Sequence, residues 1–170
     1  MPVSPFPRGV TLIEVLVAML VFSVGLIGAA GLMAMAARSN QSAYLRTQVT
    51  FLAQNMAERM QANPIGVWNG DYNGDYPDAS AQDCASGCTP GQLARHDRQH
   101  WSSQLLTFLP PGAEASIRCG SGGLSYVPAR EQLPMRPPYG GNCSMTITWM
   151  ERHAAGADAA KQTFAWEFQP

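Results

Sequence analysis

Arg8-Gly9-Val10-Thr11-Leu12-Ile13-Glu14 opens a long apolar run that one charge, Glu14, interrupts. Beyond Glu14 come 23 uncharged residues, Val15 to Ala37, with Ser23 the only polar side chain among them. As a helix rising about 1.5 Å per residue they span roughly 35 Å, enough to cross a bilayer core. A carboxylate costs about 2.5–3.5 kcal/mol at the middle of a membrane helix on insertion scales, and less near an end. An acid kept at the start of such a helix therefore asks for a partner. An ordinary secretory signal is cut after its apolar region, at a small-x-small site. Here the apolar run is too long for that, and the Arg-Gly pair lies before it.

The same pattern reads as one continuous helix from about Thr11 to Ala62, nearly 80 Å long at ~1.5 Å per residue. Its first half is apolar all round, as a membrane span or a filament core requires. Gly25, Gly28 and Gly31 interrupt this half. They allow either close approach of neighbouring helices or local melting, and both readings stay open. In the second half Leu45, Val49, Leu52, Met56 and Met60 recur at helical spacing and form one stripe, with Arg38, Arg46, Gln48, Glu58 and Arg59 mostly off it. The stripe is expected to pack on the chain's own globular domain. Asn63-Pro64 ends the helix, because the residue before proline is pushed out of the helical region.

The chain has 170 residues and a formal net charge of −1. That size suits one compact domain plus an anchor. No basic stripe interleaved with aromatics is present, so direct nucleic-acid binding is not expected. Arg8 precedes the apolar run and places the N-terminus in the cytoplasm by the positive-inside rule. Residues after about Ala37 are then expected in the periplasm of a Gram-negative cell, where disulfides persist. All four cysteines, Cys84, Cys88, Cys119 and Cys143, fall on that side. They permit three pairings, and sequence alone does not choose among them. The favoured set is Cys84–Cys88, closing a tight loop through Ser86-Gly87, and Cys119–Cys143, stapling two strand-like segments. A four-thiolate zinc site usually pairs two short C-x-x-C-like spacings, and only one short spacing occurs here.

From Ile65 to Pro90 the chain is rich in Gly, Asp, Asn, Ser and Ala and reads as a long surface loop. Asp71-Tyr72-Asn73-Gly74-Asp75 spaces oxygen donors as a calcium loop does. An EF-hand needs Gly where Tyr76 stands and a bidentate Glu where Gln82 stands, so a turn with solvated acids is the expectation. Thr89-Pro90 starts a helix, with Thr as N-cap and Pro at the first position. It runs to about Phe108, with Leu93, Trp101, Leu105 and Phe108 facing inward. His96-Asp97-x-x-His100 mimics the H-E-x-x-H order, but Asp is a methylene short for reaching a zinc-bound water, and no third ligand suggests itself. The pair reads as polar residues on an amphipathic helix, and no metal or cofactor is expected. No Ser-His-Asp, Cys-His or two-carboxylate arrangement emerges, which speaks against a membrane-tethered periplasmic enzyme.

The last third alternates with period two. Ala115-Ile117-Cys119, Met145-Ile147-Trp149 and Phe164-Trp166-Phe168 mark strands with one buried face. Gly120 to Asn142 is a Gly- and Pro-rich connection, and Glu151–Lys161 suits a hairpin loop. The fold class is α+β: a long N-terminal helix packed on an antiparallel sheet of three or four strands, with a second, shorter helix.

The N-terminal residues resemble the class III signal of type IV pilins and related pseudopilins. The resemblance implies a leader, Met1–Gly9, removed by the prepilin peptidase between Gly9 and Val10. It also implies methylation of the new Val10 amine and makes Glu14 the family's glutamate. Val10 stands where family members often carry Phe or Met. Domains then follow as leader 1–9, membrane-spanning or filament-core half 10–37, amphipathic half 38–63, and periplasmic globular domain 64–170.

Leu52-Ala53-Gln54-Asn55-Met56-Ala57-Glu58-Arg59-Met60-Gln61-Ala62-Asn63, Asp97-x3-Trp101, Leu109-Pro110-Pro111-Gly112, the Cys119 strand and Met145–Glu151 are similar to PilV-type minor pilins. That likeness implies a noncatalytic inner-membrane protein that associates with other minor pilins and the major pilin. It implies priming of filament assembly at or near the tip, under a tip adhesin, with adhesion and twitching motility depending on it indirectly. A minor pseudopilin of a type II secretion system shares every N-terminal feature.

Overall fold

A computed structural model describes residues 9–121, 126–152 and 159–170. Most of the expected leader, residues 1–8, and the centre of the expected 151–161 connection lie outside the described residues. The fold is α+β and type IV pilin-like, with a long N-terminal helix, a four-stranded antiparallel sheet and shorter helices. Helix α1 runs from Leu12 to Ala62. Packing divides the chain into two units, Met1–Gln41 and Ser42–Pro170. In the first unit the chain is helical from Leu12, and every residue from Gly9 to Gln41 is exposed.

In the second unit the end of α1 lies in the core. Leu45, Val49, Leu52, Met56 and Met60 are all buried, together with Ala53 and Ala57. Each fully buried apolar side chain of this size contributes roughly 1.5–3 kcal/mol relative to exposure, so the stripe is a main attachment of this part of α1. Its partners are Ala115 and Ile117 of β2 (Glu114–Gly120) and Cys143, Met145, Ile147 and Trp149 of β3 (Asn142–Arg152). Helix α3 (Pro90–Phe108) adds Ala94, Trp101 and Leu105 to the same core. The indole of Trp101 donates to the Leu52 carbonyl at 2.8 Å, tying α3 to α1.

Capping explains where α3 begins. The Gln92 N–H donates to Thr89 Oγ1, and the Thr89 N–H donates back to Gln92 Oε1 at 2.9 Å, a reciprocal capping box. Its inward face is Ala94, Asp97, Trp101, Ser102 and Leu105. This corrects the sequence reading at two positions. Leu93 is half-buried, and Phe108 is exposed with its ring edge-on to Phe51.

The segment read as a long loop contains two elements. Asn63-Pro64 ends α1 and immediately starts α2 (Pro64–Trp68), because Asn63 Oδ1 accepts the Gly66 N–H and Pro64 occupies the first turn. Gly74–Tyr76 then forms β1, an edge strand paired antiparallel with β2. Tyr72 and Tyr76 are buried, and this burial draws a polar-looking segment against the sheet. The strand order is β1-β2-β3-β4, with β4 spanning Ala159–Phe168. Pairing between β3 and β4 runs from Cys143–Phe168 to Arg152–Ala159, so both ends of the expected 151–161 loop belong to the ladder. Extending the ladder satisfies backbone groups of residues whose side chains favour no strand.

Candidate functional site

Three hydrogen bonds build the N-terminal turn. The Glu14 N–H donates to Thr11 O at 3.1 Å and lies 3.4 Å from Thr11 Oγ1, and the Val15 N–H donates to Thr11 O at 3.3 Å. Thr11 is thus the N-cap of α1, and Glu14 sits in its first turn. Thr-x-x-Glu is the spacing of a capping box, a signal in the sequence that went unread. Partial positive charge from free backbone N–H groups at a helix start favours a carboxylate there. Glu14 therefore holds a helix position that suits its charge before any partner arrives.

Around this turn the surface is apolar. Val10, Glu14, Val15, Ala18, Met19 and Phe22 line one shallow groove. Val10, Glu14, Ala18 and Phe22 recur every fourth residue, so a single carboxylate stands in an apolar stripe. Val10 is 71 % exposed and Phe22 67 %, and the large apolar side chains onward to Met35 are exposed as well. Soluble monomers rarely show a contiguous apolar patch of this extent; such patches mark membrane or protein contacts. Helix α1 is long and apolar enough to cross a membrane. Ser23 does not break this character, since its hydroxyl donates to the Met19 carbonyl at 2.7 Å within the same helix.

The cysteines pair as Cys84–Cys88 and Cys119–Cys143. The second bridge joins residues directly opposite each other in the β2–β3 register. The oxygens of the Asp71–Asp75 segment are dispersed to separate partners. Asn73 Oδ1 accepts the Cys119 N–H at 2.7 Å, the Asp75 carboxylate pairs with Arg118 at 2.6 Å, and the Tyr72 side chain is in the core. His96 and His100 stack with parallel rings on the outer side of α3.

Asp97, between those histidines in sequence, lies on the other side of the helix. It is buried, pairs with Arg59 of α1 at 2.9 Å, and accepts the Tyr72 hydroxyl at 2.7 Å. Asn63 Nδ2 donates to the Tyr72 oxygen at 3.1 Å and to the Pro90 carbonyl at 2.8 Å. This network binds the end of α1, the segment after α2 and the start of α3. Burial, reinforced by the Asp97 carboxylate, pushes the Tyr72 phenol far above its ordinary range, so it remains a donor. The one sequence signal at Asp97 is the Asp97-x3-Trp101 spacing, which puts it one turn before the buried Trp101.

Residues 7–30 match the family described as "Prokaryotic N-terminal methylation motif". The chain carries a prepilin-type N-terminus. No curated protein and no solved structure matches the chain. The prepilin motif, with the apolar helix that follows it, supports a type IV pilin or pseudopilin. It implies processing by prepilin peptidase, membrane anchoring and assembly with pilus components, the work of a structural protein.

Proposed function

We propose that this protein is a minor pilin of the PilV type that helps to prime the type IV pilus, at or near its tip. The observation that carries the assembly role is the lone Glu14 carboxylate in the exposed apolar stripe from Val10 to Phe22. Prepilin peptidase cuts between Gly9 and Val10, and the new Val10 amine is methylated. That amine, or a neighbour's, meets Glu14 of an adjoining subunit as the apolar helices stack. Opposite charges about 4 Å apart attract by about 4 kcal/mol at an effective dielectric near 20, and desolvation opposes this gain. The pair therefore sets register, while apolar contact along residues 10–37 supplies adhesion between rods. Residues 38–63 hold the globular part, which begins at residue 64 and faces other minor pilins, the major pilin or a tip adhesin. The two disulfides suit a periplasmic and then extracellular life.

Mass spectrometry of the protein recovered from cells tests the first step. A chain starting at Val10 and heavier by one methyl group is expected; an intact residue 1–9 segment in a strain with normal fibres overturns the reading. Glu14→Val tests the second step. It should insert and be processed normally yet enter filaments poorly. Crosslinking in cells separates the two assembly systems, since capture of secretion pseudopilins in place of pilins would assign the pseudopilin role.

A further inference from the structure

Strand β4 ends the sheet order β1-β2-β3-β4, and among the described residues no strand lies on its far side. Alternate backbone N–H and C=O groups of an edge strand point to that side and form a template for another chain. The opposite edge, β1, offers only the three residues Gly74–Tyr76. Strand β4 pairs with β3 without a bulge from Cys143–Phe168 to Arg152–Ala159. It contains no proline, and Gln162 to Trp166 carries no charge. The devices that usually blunt an edge strand are thus missing along its middle. Its inner face is also incompletely covered. Phe164, Trp166 and Phe168 pack on the core but are only half-buried, whereas their β3 neighbours Ile147, Met145 and Cys143 are fully buried. The rings of Trp166 and Phe168 stack with centroids 4.6 Å apart. The outer face of the strand carries two exposed charges, Lys161 near one end and Glu167 near the other.

We propose that the β4 edge takes up an extended segment of a different protein as an added antiparallel strand. In strand addition the main-chain bonds give affinity and alternate side chains give specificity. Antiparallel pairing is the more stable arrangement per residue. Charge complementarity then sets the sequence of the incoming segment. Centred on Phe164, it carries a basic residue opposite Glu167 and an acidic one opposite Lys161, both on the outer face. Between them every second residue faces inward, and apolar side chains there cover the open flanks of Phe164 and Trp166. Read from its N-terminus, the segment is base, apolar, small or polar, apolar, small or polar, apolar, acid. Lys161 to Glu167 itself approximates this order, so a second copy of the chain is the rival occupant. Its twofold axis would stand normal to the continuous sheet and reverse the direction of α1, which packs along the inner face. Two helices anchored in one membrane from the same side cannot run in opposite directions. Strand addition at this edge goes beyond helix-driven assembly and does not depend on it.

The test is fluorescence polarisation of a dye-labelled peptide, Lys-Val-Thr-Val-Thr-Val-Glu, titrated with the full chain in detergent at low salt. A control peptide exchanges the terminal Lys and Glu. The wild type should bind the first peptide saturably and prefer it about tenfold, because the exchange turns two opposite-charge cross-strand pairs into like-charge pairs. The Lys161→Glu/Glu167→Lys double variant should reverse the preference. Both side chains are exposed, and circular dichroism checks that the variant is folded. Absence of saturable binding by the wild type overturns the proposal, and so does a preference that the double variant leaves unreversed. Sedimentation in detergent covers the rival occupant. A wild-type dimer that Lys161→Glu alone disperses would give the edge to a second copy and overturn the proposal as well.

Discussion

Asp97→Ala should destabilise the globular unit severely, because this acid is enclosed between α1, α3 and Tyr72. The Asp97 side chain is 8 % exposed and that of its partner Arg59 is 22 % exposed. Breaking a buried pair by removing one member costs about 3–5 kcal/mol. Arg59 reaches some solvent, which cuts the charge part of that cost to about 1 kcal/mol. The Tyr72 hydroxyl is wholly buried and loses its acceptor, which costs about 1–3 kcal/mol. Together these place the loss at about 2–4 kcal/mol. For a domain of this size each kcal/mol moves the melting temperature by about 4 °C, so a fall of about 8–16 °C is expected. Asp97→Asn keeps an oxygen for Tyr72 and should lose roughly half as much. Thermal unfolding of the purified protein, followed by circular dichroism, reads both variants. A fall of less than about 3 °C for Asp97→Ala would refute the view that this network locks α1, α3 and the Tyr72 segment together.

Replacing Cys119 and Cys143 by Ser opens a loop of 24-residue separation and should cost about 3 kcal/mol in denaturant unfolding. The Cys84–Cys88 bridge spans a separation of 4, so its loss should cost less, at about 2 kcal/mol in the same assay. The Asp78 carboxyl is held below its ordinary 3.8 by the Ser80 N–H it accepts, with Arg98 contributing. A depressed native pKa gives stability that is present above the unfolded value and lost as pH falls through the native one. Unfolding curves taken between neutral pH and the region below 3.8 should therefore show a shallower acid limb for Asp78→Asn than for the wild type. Gly9→Leu should block processing, and immunoblots should show only the longer, unprocessed band.

The elements read most directly were those whose local chemistry agrees with their packing. The stripe from Leu45 to Met60 has a helical period and is buried along its whole length. Thr89-Pro90 carries an N-cap and a first-turn proline and does start α3. Alternation marked β2, β3 and β4 because one face of each strand meets the core. Strand β1 was not legible. Three residues, Gly74–Tyr76, carry no period, and they become a strand only because β2 offers an unpaired edge. Phe108 read as core because it is apolar, yet it sits at the end of α3 where the helix leaves the packed layer.

The prepilin character of the N-terminus is written in the chain itself, since an Arg-Gly pair, a capped glutamate and an apolar run act through local chemistry. Solvent, lipid and peptidase meet those residues one after another in sequence, so no folding partner is needed to define them. Asp97 shows the opposite case. Its burial depends on Arg59, Tyr72 and Asn63 arriving from distant parts of the chain, and the spacing to Trp101 does not record those partners. The same holds for the edge of β4. Alternation marks a strand there, but only the order of strands in the folded sheet decides which of them ends up outermost.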